Sequence, residues 1–158
     1  MKFLRGTDDI LEWRDNVGVV LVTGCFDILH RGRVALFERA AGYKDRKGSI
    51  EVWAGLNSDR AVKQLKGASR PVNDYESRAV VIAGLAAVDH VFEIDDVRVA
   101  EAIRLVRPII WVKGGDYTLD TLDKEEVKAA NEVQADIELI PILGSYSTTG
   151  ILRRLGLA

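Results

Sequence analysis

Cysteine is nearly absent from this chain: Cys25 is the only one in 158 residues. That excludes an internal disulfide and a multi-thiolate metal site, and it fits a reducing compartment. A dominant charge is also missing. Twenty-two Lys and Arg against 24 Asp and Glu leave a formal net charge of -2, with a pI near 5.7. No global attraction to nucleic acid or to an anionic membrane follows, so any bound anion must be held locally. Long apolar runs are lacking too. The opening MKFLRGTDDILEW is broken by charges every few positions, so neither export nor membrane insertion is expected, and the cytoplasm is the expected location. No repeat, low-complexity tract or Pro- or Gly-rich linker divides the sequence.

What is present is ordinary globular material, 47% hydrophobic and 29% charged. It reads as a single domain over residues 1–158, with a leading helix segment at 1–16 and a core at 17–158. Short β-rich apolar runs alternate with longer stretches of helical spacing, the pattern of a parallel sheet covered by helices. The strand candidates are residues 17–23, 50–56, 91–94, 109–113 and 137–142. Several are continuous apolar runs, as strands buried on both faces should be. Val34, Phe37 and Ala41 mark one helix stripe, and Ala79, Ile82, Ala83 and Ala86 another. Thr7 is expected to cap a helix over 8–14, Asn73 with Glu76 reads as a capping pair, and Ser147 or Thr148 precedes a final helix over 150–155.

The chemistry concentrates in VTGCFDILHRGRVALFER, residues 22–39. A strand end, a tight turn at Gly24 and a short polar loop lead into a helix whose first turn carries His30, Gly32 and Arg33. Unpaired N–H groups and the positive end of the helix dipole suit a polyphosphate there, and Gly32 admits close backbone approach. Taken alone, a capping or packing His30 and a solvated Arg33 are the commoner arrangement. Lys66 and Arg70 lie in the loop LKGASRP, where mobile cations can close over a triphosphate. Arg78 early in a helix opposes the dipole, which implies an anionic ligand or an acidic side chain beside it. Lys113, Gly114, Gly115 and Asp116 follow a buried strand, the place where ligands collect in open α/β sheets. Ser147, Thr148 and Thr149 offer hydroxyls and free N–H groups at a helix start. Asp27 is read as structural and only as a weak candidate for Mg²⁺. Cys25 and His90 are read as packing residues, and the charges from Asp123 to Glu126 as a solvated helix start.

The segment GCFDILHRGR resembles the signature of the cytidylyltransferase-like nucleotidyltransferases, G-x-F-D-x-x-H-x-G-H, with Gly24, Phe26, Asp27, His30 and Gly32 in place and Arg33 where the family has its second histidine. Further motifs resemble one branch, the adenylyltransferase domain of ADP-heptose synthase. They are Asn57-Ser58-Asp59, Leu65-Lys66-Gly67 with Ser69 to Asn73, Glu76 and Arg78, Ala87-Val88-Asp89, Lys113 to Tyr117, and Ser147 to Thr149.

The resemblance implies a Rossmann-like doubly wound α/β fold with five parallel strands in the order 3-2-1-4-5. It implies transfer of a nucleoside monophosphate from ATP, accompanied by Mg²⁺, to a sugar 1-phosphate of the heptose type. CTP with glycerol 3-phosphate or a related polyol phosphate is the alternative, and a catalytically weak nucleotide-binding protein is the alternative of another class. His30, Arg33, Lys66 and Arg70 are the expected catalytic residues. Thr23, Gly24, Cys25, Phe26, Gly32, Asn57, Asp59, Arg78, Lys113 to Tyr117 (Gly114, Gly115 and Asp116 between them) and Ser147 to Thr149 are the expected nucleotide contacts. No nucleic-acid or membrane partner is expected, and a homodimer is.

Overall fold

Val20, Leu21 and Val22 are all completely buried, although successive side chains on a strand point to opposite faces. They belong to β2 (Gly18–Gly24), the centre of a parallel sheet in a computed structural model that describes residues 2–115, 117–141 and 146–156. The remaining strands are β1 (Lys2–Leu4), β3 (Ile50–Asn57), β4 (His90–Ile94), β5 (Ile110–Gly114) and β6 (Asp136–Ile140). All neighbours pair parallel, in the order β1-β4-β3-β2-β5-β6.

Each face of the sheet is covered. One core joins Val19, Leu21, Trp53, Phe92 and Trp111 to α1 (Thr7–Arg14), α5 (Ala100–Val106) and α6 (Lys124–Glu132) through Ile10, Ile103 and Ala129. The other joins Val20, Val22, Val52, Ala54 and Val112 to α2 (Arg31–Ala41) and α4 (Tyr75–Ala83) through Leu36, Phe37, Ala79 and Ile82. Alternate residues of β2 thus serve the two cores, and this two-sided burial is why the strand reads as an unbroken apolar run. Each fully buried Val or Leu contributes about 1.5–3 kcal/mol of transfer free energy. Two short helices, α3 (Asp59–Lys66) and α7 (Thr148–Arg154), and a 3₁₀ turn at Leu119–Thr121 sit at the C-terminal ends of the strands.

The α/β class and the order of the five expected strands agree with the structure, but the sheet has six strands. The sixth, β1, adds at the edge: Lys2, Phe3 and Leu4 register with His90, Val91 and Phe92, and Leu4 enters the core. The cap of α4 is Asp74, whose carboxylate accepts from Ser77 N at 2.8 Å, and not Asn73. Thr7 is the first residue of α1 rather than its cap, which is Gly6, φ 97°, with no side-chain bond. Ala86 falls beyond the end of α4 and is exposed. Ser147 does cap the last helix, its hydroxyl accepting from Gly150 N at 3.0 Å. Ile142, the expected end of the last strand, lies outside the described residues.

Candidate active site

The order in which the chain adds strands reverses at β2. β3 and β4 extend to one side of it, and β5 and β6 to the other. Ligands of open α/β sheets bind at such a switch point, beyond the carboxyl ends of the strands. A cleft of about 830 Å³ lies there, lined by Thr23 to Asp27, Arg33, Asn57, Leu65, Lys66, Arg70, the loop 96–99, Lys113 to Gly115, Tyr117, Asp123, Glu126 and Ser147 to Thr149. A smaller recess beside it is bounded by His30, Gly32, Arg33, Leu36, Gly114, Gly115, Ile140, Pro141, Tyr146 and Ser147.

The start of α2 forms one wall. His30 occupies the cap position with extended backbone and no capping side-chain bond, and the first turn holds no acidic residue. Arg33 N and Val34 N both bond to His30 O, at 2.8 and 3.2 Å, so the N–H groups of Arg31 and Gly32 remain at the open end. Both ring nitrogens of His30 and Nε of Arg33 are shielded from water and have no hydrogen-bond partner among the described residues. Burial, and after it the charge of Arg33, push the His30 imidazole below its ordinary pKa, so it is neutral near pH 7. Burial also lowers the guanidinium of Arg33, whose carbon stands 5.3 Å from the centroid of the Phe26 ring.

Phe26 adopts φ 47°, a left-handed conformation that costs a non-glycine residue on the order of 1 kcal/mol or more. Its ring is clamped against Phe37, centroids 5.0 Å apart, and over Gly24, where a Cβ would stand 3.2 Å from the ring edge. Gly24 is therefore the last residue of β2, making room for an aromatic ring, rather than a tight turn.

Asp27 is a structural clamp. Its buried carboxylate accepts from Val72 N at 2.9 Å, Asn73 N at 2.9 Å and Arg70 Nε at 2.7 Å, with Arg70 Nη2 at 2.6 Å. Arg70 is thereby fixed at the cleft edge, not mobile, and Lys66 closes α3 rather than lying in a loop. Lys66 is exposed, lines the cleft and has no ion-pair partner among the described residues.

Arg78 is turned away from the cleft. Its side chain is fully buried and donates to Asn73 O, Cys25 O, Asn57 O and Asp59 Oδ1, at 3.1, 2.5, 2.8 and 2.9 Å. The cation early in a helix has an acidic partner and three carbonyls, so Arg78 and Asp59 brace the cleft floor from beneath. Asn57 is buried, donating from Nδ2 to Asp96 O at 2.9 Å, and its Oδ1 lies 3.7 Å from Cys25 Sγ. Burial raises the Cys25 thiol, in keeping with a packing role. His90 packs between Trp13 and Trp53, 3.2 Å from Glu51.

The opposite wall comes from β5 and the start of α6. Lys113 forms an ion pair with Glu126 and lies 5.2 Å and 5.0 Å from the rings of Trp111 and Tyr117. Glu126 is 4% exposed and also accepts Val99 N at 3.1 Å, so it is a buried cleft residue and not part of a solvated helix start. Asp123 caps α6 and bonds Arg98 Nε at 2.9 Å. A Cβ on Gly114 would stand 2.8 Å from the Leu36 side chain and one on Gly115 2.5 Å from the Tyr117 ring, so either substitution would force a neighbour to move. Asp116 lies outside the described residues. Glu126, Asp123 and residues 96–99 were missed by sequence reasoning. The rule that singled out Lys113 at a strand end would also have found 96–99, which follow the end of β4.

Among the described residues no group of three His, Cys, Asp or Glu could hold a metal ion, and none of the helices is long and apolar enough to cross a membrane. A cleft at the switch point of an α/β sheet thus lies beside a helix start whose N–H groups would suit an anion. The cytidylyltransferase-like family model matches residues 21–154, and the chain belongs to that family of nucleotidyltransferases. It is similar to the bifunctional protein HldE of Koribacter versatilis, 40% identical over 149 residues, covering 92% of this chain and 29% of that protein. The HldE of Bradyrhizobium sp. (strain ORS 278) is 43% identical over 146 residues, with 92% and 28% covered. That of Campylobacter concisus is 36% identical over 155, with 98% and 30% covered. The chain thus spans less than a third of the length of these relatives. A lipopolysaccharide core biosynthesis protein from Thermoplasma volcanium shares the fold, at TM-score 0.61 and 24% identity over 80% of this chain and 96% of that one.

Proposed function

We propose that this chain transfers AMP from ATP to a sugar 1-phosphate of the heptose type and releases pyrophosphate. A phosphate oxygen of the acceptor attacks the α-phosphorus, the new P–O bond forms as the bond to the β-phosphate oxygen breaks, and the electron pair leaves with pyrophosphate. No covalent protein nucleophile is needed, so catalysis rests on position and on donors aimed at the developing charge. His30, Arg33 and the N–H groups at the start of α2 take the phosphates. Lys66 approaches from the end of α3, and Arg70 contributes the nitrogen that Asp27 leaves free. The part of the cleft lined by Lys113, Gly114, Gly115 and Ser147 to Thr149 takes the nucleoside. Mg²⁺ arrives with the triphosphate, because the oxygens of Asp27 are already engaged by Arg70, Val72 and Asn73. The assembly proposed with it is a homodimer, read by light scattering.

One observation carries this reading. Arg33, with Nε unpartnered, lines the cleft that the other family motifs also line, and His30, with both ring nitrogens unpartnered, bounds the recess beside it, a cost that a phosphate would relieve. The test is a pyrophosphate-release screen of four nucleoside triphosphates against sugar and polyol phosphates. Release with ATP and a sugar 1-phosphate is expected; release only with CTP and a polyol phosphate would replace the substrates. A second reading rests on Arg33: nucleotide binding without turnover would mark a binding module.

A further inference from the structure

Trp111 is fully buried in the core on the α5 and α6 face of the sheet, and a buried indole N–H needs an acceptor. Trp53, in the same core, gives its N–H to Glu51 Oε2 at 2.8 Å, two residues nearer the start of its strand. Trp111 turns the other way. Its register partner on β2 is Leu21, yet its Nε1 donates at 3.0 Å to Oγ1 of Thr23, two residues further toward the cleft on the same face. Lys113 Nζ stands 5.2 Å from the centroid of the same indole. One buried side chain thus holds two cleft-lining residues, on neighbouring strands, from beneath.

The bond also decides what Thr23 can offer. A hydroxyl donates once and accepts twice, whereas an indole N–H only donates. Trp111 therefore occupies an acceptor position of Oγ1, and no group among the described residues accepts the hydroxyl's own hydrogen. Thr23 is only 4% exposed and β-branched, so the oxygen is held in place, and the cleft that Thr23 lines is the open side left to that hydrogen. Arg33 lines the cleft from the α2 wall and Lys113 from the β5 wall. A fixed donor between two cations matches an oxygen that accepts only, which is the character of a phosphate. We infer that the Thr23 hydroxyl donates to an oxygen of the phosphate under attack, and that Trp111 is the positioning residue that aims it. The inference rests on the proposed transferase reading and adds a donor at the reacting centre, where β2 ends between the two walls.

The test measures pyrophosphate release from ATP and a heptose 1-phosphate by the native chain, Thr23→Val, Thr23→Ser, Trp111→Phe and the double variant Thr23→Val with Trp111→Phe. Thr23→Val is expected to lower kcat about tenfold, the scale of one hydrogen bond to a charged group, with KM for both substrates within about twofold of native. Thr23→Ser keeps the hydroxyl and should recover most of that loss. Trp111→Phe keeps a ring beneath Lys113 and removes the N–H, so kcat should fall about threefold, less than when the hydroxyl itself is lost. In the double variant kcat should match that of Thr23→Val within about twofold, because Trp111 acts through the hydroxyl. That variant leaves no buried donor without an acceptor, so it keeps the test alive if a single change does not fold. Native kcat in Thr23→Val, Trp111→Phe or the double variant overturns the inference while leaving the transferase reading in place. So does a loss carried by KM, a Thr23→Ser no better than Thr23→Val, or single losses that multiply in the double variant. No release by the native chain with any pair of substrates removes both.

Discussion

Arg33 stands where the family signature has a second histidine. Its side chain lies over the Phe26 ring, with Nε unpaired among the described residues. Histidine is shorter and can titrate, whereas Arg is permanently charged and carries a planar fork of donors. Under the proposed reading, phosphate binding is expected to survive the exchange, with the donor displaced from the position an imidazole would occupy. Arg33→His is therefore expected to raise kcat, by up to about 10²-fold, the scale of one positioned transition-state donor. A fall in kcat with an unchanged melting temperature would show instead that Arg33 is adapted to the reaction. His30 gives a second expectation at this scale. Its folded-state pKa is depressed, so the unfolded chain takes up the proton first as pH falls below about 6.5. Its contribution to stability is level above that value and declines below it, until the folded imidazole titrates as well. Urea unfolding at pH 7.5 and 5.5 should show a smaller acid loss in His30→Asn than in the native chain. Equal losses would mean that His30 is not held neutral by burial.

At the scale of elements, two cations that sequence reasoning treats alike part company. Lys66 ends α3 in solvent, while Arg70 is tied to the buried Asp27 and helps hold residues 70–73. Lys66→Ala is expected to lose turnover with its melting temperature unchanged. Arg70→Ala should lose both, because a buried carboxylate is left with two N–H partners and no cation, a change that typically costs about 3 kcal/mol or more. Paired thermal melts and pyrophosphate assays of the two variants check this; matching behaviour would contradict the distinction. The same elements show what the sequence leaves legible. β6, only partly buried, is marked by Ile137, Leu139 and Ile140 interspersed with Asp136 and Glu138, whereas β2 and the body of β3 announce themselves because burial on both faces leaves unbroken apolar runs. β1 does not, since three residues carry no period and its partner β4 lies 85 or more residues away. The cap of α4 is displaced by one residue because Asn73 and Asp74 both suit the role, and only the folded chain assigns Asn73 to Asp27, with Nδ2 donating to Asp27 O at 2.8 Å.

For the whole molecule, the phosphate side of the cleft is readable in the sequence because its residues are contiguous: His30, Gly32 and Arg33 share one helical turn. The opposite side is not, because its character arises from pairs distant in the chain. Glu126 looks solvated within a run of charges until Lys113 and Val99 N meet it, and Arg78 looks available to a ligand until four partners enclose it. The central claim is that this fold joins two phosphates at the α2 wall and expels pyrophosphate. It is tested most directly with ATP labelled at the α-phosphate, incubated with Mg²⁺ and a heptose 1-phosphate, with every labelled product resolved. The account predicts that label appears in a nucleotide sugar, in equal amount to the pyrophosphate released and only when acceptor is present. Label remaining wholly in ATP while the nucleotide is bound, or passing to AMP or ADP without acceptor, would contradict it.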